Sequence, residues 1–405
     1  MTVLTEQQEA AYNAVIGFMA SNERCMVIDG YAGTGKSTLI KHIKDEYPEM
    51  CNVASLINPN KPKETLRITA TTNKAVSNLT ANKIQANTIH NELELILKNR
   101  ILVKKQERNV GYNRLIIIDE SSMIDINLYN FILAEENARY IFIGDNTQLP
   151  PVNEIASKVY LDNYMEVKLT QVMRQKESPL LDLITDLREA VVNNTDLPQI
   201  IPNDLDIQYL EHDEFYQHVL SDMCRSDWKT THSRLLGFTN NHVINMNKKV
   251  ATQKTGTYKF IKDDVANVNT YFNYDGLKLP TDSMVLIDNV WKTSTLKYHR
   301  KNIDGYHVRI SEGNLLFVPD NYTILKSLRD DDPSFDYFCN QNKIVDLRPL
   351  FASTVHKAQG STINTVYIDL DDFKSVSRYN YPLFKKLLYV AVSRASEKVV
   401  FTGDI

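Results

Sequence analysis

The sequence predicts an α/β protein with two parallel-sheet domains. A short apolar run at 25–29 ("CMVID") is followed by a glycine-rich loop and then by a helical segment. Short apolar runs alternate with helical segments through the first third of the chain, and the same alternation returns near its end. Apolar strands separated by helices are typical of a parallel sheet that is buried on both faces.

The individual elements follow from these runs. In the first domain we predict strands at 25–29, 66–70, 115–118 and 140–143, and a helix at 37–47 that stops before Pro48. In the second domain we predict strands at 234–239, 365–370 and 398–402, and a helix from 381 to about 395.

Two insertions interrupt this pattern. Residues 251–346 are rich in aromatics and poor in helical periodicity, and Glu312-Gly313 between two apolar runs predicts a β-hairpin. Residues 91–113 hold a stretch of basic side chains: Lys98, Arg100, Lys104, Lys105 and Arg108. We therefore expect a first domain at 1–155 that contains the 91–113 insertion. The second domain is expected at 156–250 and 347–405, with a β-rich insertion at 251–346.

Composition bounds the class of protein. The 405 residues exceed what one core usually holds, and 43% hydrophobic residues suit a soluble globular protein. No apolar run approaches the roughly 20 residues of a membrane span, and the start lacks the pattern of a signal peptide. Four scattered cysteines without a CxxC pair argue against a zinc site or a disulfide framework and fit a reducing compartment. With a net charge of −4, a nucleic-acid partner needs a local basic groove.

The stretch "GYAGTGKST" at 30–38 fits the P-loop pattern, with glycines at Gly30 and Gly35 followed by Lys36 and Ser37. Backbone N–H groups of such a loop cradle phosphates, the lysine reaches the β- and γ-phosphates, and the hydroxyl binds Mg²⁺. The alternative is a chance glycine-rich turn. A strand before the loop and a helix after it favour the P-loop.

Two polar segments leave the ends of later apolar strands. Asp119 and Glu120 follow "LIII", where a P-loop protein needs a second anchor for Mg²⁺ and a group that orients or deprotonates water. The alternative is a solvated acidic pair. In "IGDNTQLPPV", Gln148 is placed to sense the γ-phosphate or to hold the attacking water, or the segment is simply a polar loop.

Three further side chains stay ambiguous on pattern alone. Arg174 and Arg394 are candidate arginine fingers, since a guanidinium stabilises the charge that develops on a γ-phosphate, but either is also an ordinary surface or salt-bridge residue. Gln8 forms a capping-box pattern with Thr5, and a role in reading adenine is the alternative.

Taken together, the motifs resemble those of superfamily 1 helicases, in the order found in the RecD-like superfamily 1B. They are "LTEQQ", "GYAGTGKST", "ITATTNKAV", "NTIH", "LIIIDESSM", "GDNTQLPPV", "LTQVMRQ", "GFTNNHVINMN", "STVHKAQGST" and "LLYVAVSRA". The resemblance covers both α/β regions. It implies two RecA-like domains that close on ATP, with a β-hairpin pin as the 91–113 insertion and an SH3-like domain as the 251–346 insertion.

The resemblance also implies an ATP and Mg²⁺ site. Its catalytic residues would be Lys36, Asp119, Glu120, Gln148, Arg174 and Arg394, and its metal ligands Ser37 and Asp119. The cofactor-binding residues implied are Gln8, Gly33, Thr34, Gly35, Lys36, Ser37, Thr38 and Gly360. Closure would follow because both arginines gain a phosphate partner only when ATP is bound.

Single-stranded DNA is implied to lie across both domains, held through its phosphates without base reading. The matching positions are Thr72, Asn73, Thr88, His90, Thr354, His356 and Lys357. A structural role is the alternative for either histidine. The chain departs from the family at Thr71, where proline is common, and at Asn73, where histidine is common. No clear aromatic tip stands in "LKNRILVKKQERN" within the 91–113 insertion; Ile101, Leu102 and Val103 are either wedges or ordinary strand residues.

Three functions compete. The favoured one is an ATP-dependent DNA helicase that moves 5′ to 3′, a polarity implied by the resemblance alone. A translocase that displaces proteins without efficient unwinding is a variant of it. A P-loop kinase would not need "HKAQG", and a nucleic-acid-binding module would not need an intact ATP site. The resemblance implies a working monomer in the cytoplasm of a bacterial cell or phage-infected host. Its partners would be single-stranded DNA, single/double-strand junctions and single-stranded-DNA-binding or replication proteins.

Overall fold

The computed structural model describes residues 4–98, 101–105, 113–151, 154–171, 178–203, 205–332 and 334–404. Contacts divide the chain into two compact units. The first comprises Met1–Gln199 with Lys385–Ser393, and the second comprises Ile200–Phe384 with Arg394–Ile405. Each unit is built around its own parallel sheet, as the alternation of strands and helices predicts.

Among the residues that the structure describes, eight strands belong to the first unit. They are β1 (Cys25–Gly30), β2 (Thr65–Ala70), β3 (Asn87–Thr88), β4 (Leu95–Lys98), β5 (Ile101–Lys104), β6 (Arg114–Asp119), β7 (Ala138–Gly144) and β8 (Met165–Leu169). Six of them form one sheet in the order β3-β2-β6-β7-β1-β8, and every neighbouring pair in it is parallel. All four strands predicted for this domain are confirmed.

Six helices lie in the described part of the first 199 residues. They are α1 (Glu6–Ala20), α2 (Lys36–Ile57), α3 (Asn73–Ala81), α4 (Ile89–Glu92), α5 (Ile126–Ala134) and α6 (Pro179–Val192). Apolar side chains of α1 and α2 pack on one face of the sheet, and those of α4 and α5 pack on the other. The central strands β1, β6 and β7 are therefore buried along their whole length.

Two expectations for this unit need correction. The helix α2 does not stop before Pro48 but continues to Ile57. Proline removes one N–H from a helix, yet Met50 and Ala54 beyond it are buried in the core, and this packing compensates for the missing bond. The unit also extends past residue 155, because β8 pairs with β1 at the edge of the first sheet.

The remaining strands are β9 (Ile207–Tyr209), β10 (Ser233–Gly237), β11 (Val265–Val268), β12 (Phe272–Tyr274), β13 (Leu277–Leu279), β14 (Met284–Tyr298), β15 (Lys301–Ile310), β16 (Leu315–Pro319), β17 (Leu347–Arg348), β18 (Ala352–Thr354), β19 (Ile363–Asp369) and β20 (Ala395–Thr402). The other helices are α7 (His212–Met223), α8 (Asn240–Thr255), α9 (Tyr322–Asp331), α10 (Phe335–Gln341), α11 (Val355–Ala358), α12 (Lys374–Tyr379) and α13 (Tyr381–Val392). The second parallel sheet has the order β18-β10-β19-β20-β9.

The 251–346 segment is β-rich, as predicted. Its main sheet is antiparallel, in the order β16-β15-β14-β11-β17, and β12 and β13 form a separate hairpin. The turn between β15 and β16 contains Gly313 at φ 85°, a left-handed conformation that glycine adopts freely. The segment also contains α9 and α10, which the sequence pattern does not predict. Its likeness to an SH3-like domain stays a prediction. Among the described residues, no helix is both long and apolar enough to cross a membrane.

Candidate ATP site and nucleic-acid interface

The P-loop connects β1 to α2. Gly33 and Gly35 have φ of 85° and 79°, so glycine is needed at both positions for the backbone to take this path. The Lys36 ammonium donates hydrogen bonds to the carbonyl oxygens of Gly30, at 2.6 Å, and Tyr31, at 3.1 Å. Ser37 and Thr38 follow in the first turn of α2, both half-buried. The loop thus has the form that its sequence predicts.

Gln8 forms the capping box that its sequence predicts, and it also contacts the P-loop. Its Oε1 accepts from the Thr5 N–H at 3.1 Å, and its own N–H donates to the Thr5 hydroxyl oxygen at 3.3 Å, which completes the capping box of α1. Its Nε2 donates to the carbonyl oxygen of Thr34 in the P-loop at 2.9 Å. Gln8 is therefore a cap that also contacts the nucleotide loop. Its reading of adenine stays a prediction.

The predicted catalytic acids lie at the end of β6. Burial and the neighbouring Glu120 raise the pKa of the Asp119 carboxyl, whereas Lys36 and the Glu120 N–H lower it. Glu120 has a φ of 55°, and its Oε2 is buried without a hydrogen-bond partner among the described residues. Carboxylate and hydroxyl oxygens are the ligands that Mg²⁺ prefers, so Asp119 and Ser37 fit the metal by their chemistry.

Gln148 belongs to a cluster centred on Asp145, which is fully buried. One Asp145 oxygen accepts from the Ala32 N–H at 2.9 Å and from the Gln148 side chain at 3.2 Å. The other accepts from the N–H of Thr147 at 3.0 Å and from its hydroxyl. Asp145 therefore connects the P-loop with the predicted γ-phosphate sensor, a role that the sequence analysis did not assign.

Two residues of α13 also reach this cluster, and sequence reasoning missed both. The Tyr389 hydroxyl donates to Asp145 at 3.3 Å, and the Lys386 ammonium donates to the carbonyl oxygen of Asn146 at 3.1 Å. Burial lowers the pKa of Lys386, although Asp145 and Asp29 oppose that shift. The motif "LLYVAVSRA" contains Tyr389, but the sequence analysis used this motif only for the family resemblance and assigned no role to its tyrosine.

In the first unit, the predicted DNA contacts lie at the carboxyl ends of adjacent parallel strands. Thr72 caps α3 by accepting from the Ala75 N–H at 3.2 Å, and Asn73 is the first residue of that helix. Thr88 caps α4 by accepting from the Asn91 N–H at 3.2 Å. His90 in α4 is half-buried, and burial lowers the pKa of its ring. Because β2 and β3 pair in parallel, these side chains occupy one edge of the sheet.

Thr71, where the family commonly has proline, has a role of its own in this chain. Its hydroxyl donates to the carbonyl oxygen of Glu120 at 3.1 Å, and its N–H donates to the carbonyl oxygen of Asp119 at 3.2 Å. Since proline offers neither donor, the departure adds a link between the predicted DNA edge and the catalytic acids.

In the second unit, Thr354 caps α11 by accepting from the Lys357 N–H at 3.4 Å. Burial lowers the pKa of His356. The Lys357 ammonium contacts Asn269 and lies 3.6 Å from Asp282, so it is held by the β-rich segment. Gly360 follows α11 with a φ of 72°.

The motif "GFTNNH" yields a fourth threonine cap that was not among the predicted contacts. Thr239 accepts from the His242 N–H at 3.2 Å at the start of α8, and Asp372 accepts from the N–H groups of Phe238 and Thr239. Its strand β10 is parallel to β18 with Gly237 opposite Thr354. The second unit therefore repeats the paired threonine caps of the first.

The structure gives less information on the two predicted arginine fingers than on the other candidate residues of the ATP site. Arg174 lies outside the described residues. Arg394 directly precedes β20, is buried, and its carbonyl oxygen accepts from the Ile363 N–H at 2.9 Å. Neither role is tested by these contacts.

The 91–113 insertion contains a β-hairpin. Strands β4 and β5 pair antiparallel, with Leu95 opposite Lys104 and Lys98 opposite Ile101. Ile101 is 65% exposed, whereas Leu102 packs against the buried core of the unit. Of the wedge candidates, Leu102 is therefore a core residue and Ile101 is the exposed one; Val103 is half-buried. Arg100 and Arg108 lie outside the described residues.

Two family models match the chain. One, described as an AAA domain, matches residues 3–197, and the other, a UvrD-like helicase C-terminal domain, matches residues 349–402. The ATP-dependent DNA helicase Dda of Enterobacteria phage T4 is 29% identical over 202 residues, which cover 47% of this chain and 44% of that helicase. The alignment thus spans less than half of that relative.

Solved structures of similar fold include Pif1 helicases. The structure from Candida albicans has a TM-score of 0.53 at 18% identity and covers 100% of this chain and 95% of its own. A Bacteroides Pif1 helicase in complex with ADP-AlF3 and ssDNA has a TM-score of 0.52 at 17% identity and covers 100% and 94%. These likenesses concern the fold.

A P-loop after β1, an acidic pair at the end of β6 and two parallel-sheet units define a P-loop protein with tandem RecA-like cores. Together with the matches to Dda and to the two family models, they place the chain more narrowly. It is similar to the RecD-like and Pif1-like helicases of superfamily 1B, and in its sequence to the phage Dda helicase.

Proposed function

We propose that the chain is an ATP-dependent DNA helicase that moves along single-stranded DNA from 5′ to 3′ and unwinds duplex DNA. The observation that carries the proposal is the meeting of two elements in the first unit. Because β1 and β6 both pair in parallel with β7, the P-loop after β1 and the acids Asp119 and Glu120 at the end of β6 lie at the same edge of the sheet, and Lys36 lowers the pKa of the Asp119 carboxyl. An ammonium and two carboxylates in this arrangement suit the cleavage of a nucleoside triphosphate.

In this proposal, Lys36 and the N–H groups of the P-loop bind the phosphates of ATP. Asp119 and Ser37 would hold Mg²⁺, which when bound supplies positive charge to the β- and γ-phosphates. Glu120 has a free carboxylate oxygen with which to accept a proton from water. Gln148, held by Asp145, orients that water.

Arg394 and Arg174 are proposed to stabilise the charge that develops on the γ-phosphate, by resemblance to the family. An Arg394→Ala variant should therefore lose DNA-stimulated ATP hydrolysis. Hydrolysis at the wild-type rate by this variant would count against the role of Arg394 without affecting that of the P-loop.

Single-stranded DNA is the proposed substrate because the threonine caps and their neighbouring polar side chains offer hydroxyl, amide and imidazole donors to phosphates. Thr72 and Asn73 in the first unit and Thr354 and His356 in the second are the proposed contacts. The name of the Dda relative, an ATP-dependent DNA helicase, supports the same substrate. The exposed Ile101 on the β4–β5 hairpin is the proposed wedge.

Strand separation on two partial duplexes tests the proposal, one with a 5′ and one with a 3′ single-stranded tail, each with ATP and Mg²⁺. Unwinding of the 5′-tailed duplex alone supports it. Unwinding from the 3′ tail refutes the polarity. ATP hydrolysis that single strands stimulate, without unwinding of either duplex, supports the translocase instead. A rate of ATP hydrolysis that DNA does not change indicates a P-loop enzyme of another class. No ATP hydrolysis at all indicates a nucleic-acid-binding module. A Glu120→Gln variant is the inactive control.

A further inference from the structure

A row of alternating charges lies at the base of the β4–β5 hairpin. The Lys104 ammonium contacts one oxygen of Glu135, and the other Glu135 oxygen accepts from Arg114 Nη2 at 2.7 Å. Arg114 Nη1 donates to Glu92 at 3.1 Å, and Arg67 Nε lies 3.8 Å from the same Glu92 oxygen. We call these five side chains the Glu135 network. Each carboxylate in it lies between two cations.

The network is buried at its centre. The side chain of Arg114 is 3% exposed, those of Glu92 and Glu135 are 14% and 15% exposed, and that of Lys104 is 29% exposed. Exposed ion pairs contribute little because water screens them. An arginine buried with two carboxylates is held strongly, since removal of one partner leaves an uncompensated charge in the interior.

The network joins five elements of the first unit, and Arg67 contributes β2 to it. Lys104 ends β5 of the hairpin, and Glu135 directly follows α5, where its carbonyl oxygen accepts from Arg24 at 2.6 Å. Arg114 begins β6, the buried strand whose last residue is Asp119. Glu92 ends α4, the helix that carries His90. The hairpin is thereby tied to the strand that carries a candidate catalytic acid and to a helix of the predicted DNA edge.

Apolar contacts fix the same end of the hairpin. Leu95 is 7% exposed and Leu102 packs against the core, and the Lys105 N–H donates to the Glu94 carbonyl oxygen at 2.9 Å. Ile101, at the other end of β5, is 65% exposed. The hairpin is therefore fixed to the core at its base and exposes an apolar side chain at its other end. This arrangement is expected of an element that must keep its position while DNA presses against it.

We propose that Lys104 and Glu135 are positioning residues for strand separation, because their ion pair holds the hairpin in a fixed orientation on the first unit. This inference rests on the proposed helicase function. A wedge separates base pairs only if it does not yield when the duplex is driven against it. A displacement of about 1 Å is enough to lower the rate of a geometrically demanding step by up to about 100-fold. Neither residue is among the candidate residues of the ATP site or the candidate contacts with single strands.

Lys104→Met removes the ion pair between Lys104 and Glu135 with the least disturbance. The variant keeps the apolar stem of the side chain and leaves the pairing of Glu135 with Arg114 intact. Lys105→Met is the matched control: the neighbouring exposed lysine carries the same charge in the same hairpin, and its ammonium is not part of the Glu135 network. Lys104→Arg restores a cation that Glu135 can accept. Single-strand-stimulated ATP hydrolysis, translocation on single strands and unwinding of a tailed duplex are measured for each variant.

We expect Lys104→Met to retain ATP hydrolysis and translocation but to unwind at least about tenfold more slowly. Lys105→Met and Lys104→Arg should unwind as the wild type does. The proposal is overturned if Lys104→Met unwinds normally, or if Lys105→Met is equally slow. The second result would show that unwinding depends on the positive charge of the hairpin and not on the ion pair between Lys104 and Glu135.

Hydrogen exchange of the backbone amides separates this inference from the helicase proposal. Lys104→Met should speed exchange of the β4–β5 amides while those of β6 stay protected, because the sheet keeps its own contacts. Unchanged hydrogen exchange in the hairpin would refute the claim that the Lys104–Glu135 ion pair holds the hairpin in place, whether or not the protein unwinds DNA. A wild-type protein that does not unwind DNA refutes the helicase proposal, and with it the role in strand separation.

Discussion

Replacing Asp145 by asparagine is the perturbation that probes the ATP site most directly. The fully buried carboxylate accepts from the Ala32 N–H, the Gln148 amide and the Tyr389 hydroxyl through one oxygen. Through the other it accepts from Thr147, by both its N–H and its hydroxyl. An amide has only one acceptor oxygen, so its NH₂ group must face donors on one side.

The magnitude follows from these contacts. With the amide oxygen turned toward Ala32, the NH₂ group faces the Thr147 N–H, and an unsatisfied buried N–H costs about 1–3 kcal/mol. The three remaining hydrogen bonds lose the assistance of a charged acceptor, about 1 kcal/mol each. The neutral amide offsets part of this loss because its burial costs less than that of a carboxylate. We expect Asp145→Asn to lower the free energy of unfolding by about 2–4 kcal/mol.

Thermal unfolding and steady-state ATP hydrolysis together measure the effect. For a unit of about 200 residues, this loss corresponds to a decrease in Tm of about 4–16 °C. Because the hydrogen bonds from Gln148 and from Ala32 of the P-loop are both weakened, kcat should fall about tenfold or more. Tyr389→Phe is the graded control: it removes one 3.3 Å hydrogen bond and should cost about 0.5–1.5 kcal/mol. Asp145→Asn with the wild-type Tm and kcat would refute the reasoning.

Three further predictions concern single positions. In Gly35→Ala, the new Cβ would lie 2.3 Å from Gln8 Nε2 at a φ of 79°, so the KM for ATP should rise in a hydrolysis assay; a wild-type KM would contradict this. Ile101→Ser should slow unwinding without lowering Tm, whereas Ile155→Ser, at a position 95% exposed, should change neither; equal effects would exclude Ile101 as the wedge. Burial lowers the pKa of His90, so its contribution to stability is present above the unfolded pKa of about 6.5 and is lost as pH falls below it. The decrease in urea midpoint between pH 7.5 and pH 5.5 should therefore be smaller in His90→Gln, and an unchanged decrease would argue against this assignment.

Local patterns predicted the elements of the ATP site well. The P-loop glycines, Lys36 and the acids after β6 are adjacent in sequence to the strands and helices that place them, so spacing alone locates them. The end of α2 was wrong because burial of Met50 and Ala54 outweighs the local preference of Pro48 to stop a helix. The end of the first unit differed because β8 pairs with β1, a contact across more than 130 residues that no local pattern carries.

The resemblance predicted which segments matter for DNA but not how the chain supports them. Nothing in "LKNRILVKKQERN" distinguishes Ile101 from Leu102, since both are branched aliphatic residues with similar strand preferences. Burial against the core of the first unit separates them. In the same way, the 91–113 insertion contains five basic residues in sequence, and only the position of Glu135 selects Lys104 from among the described ones as a partner in an ion pair.

The sequence by itself determined the class of the protein, because nucleotide chemistry needs particular residues at short, fixed spacings along a strand and the turn that follows. This chemistry can be inferred without the rest of the chain, from the glycines of the P-loop, Lys36 and the Asp119-Glu120 pair. The tertiary structure decided which side chains hold those groups in place. Asp145 joins Ala32, Gln148 and Tyr389, and Glu135 joins Lys104 to Arg114, through contacts between residues far apart in sequence. Such contacts form only when packing of the sheet and helices brings distant segments together and removes water from between them.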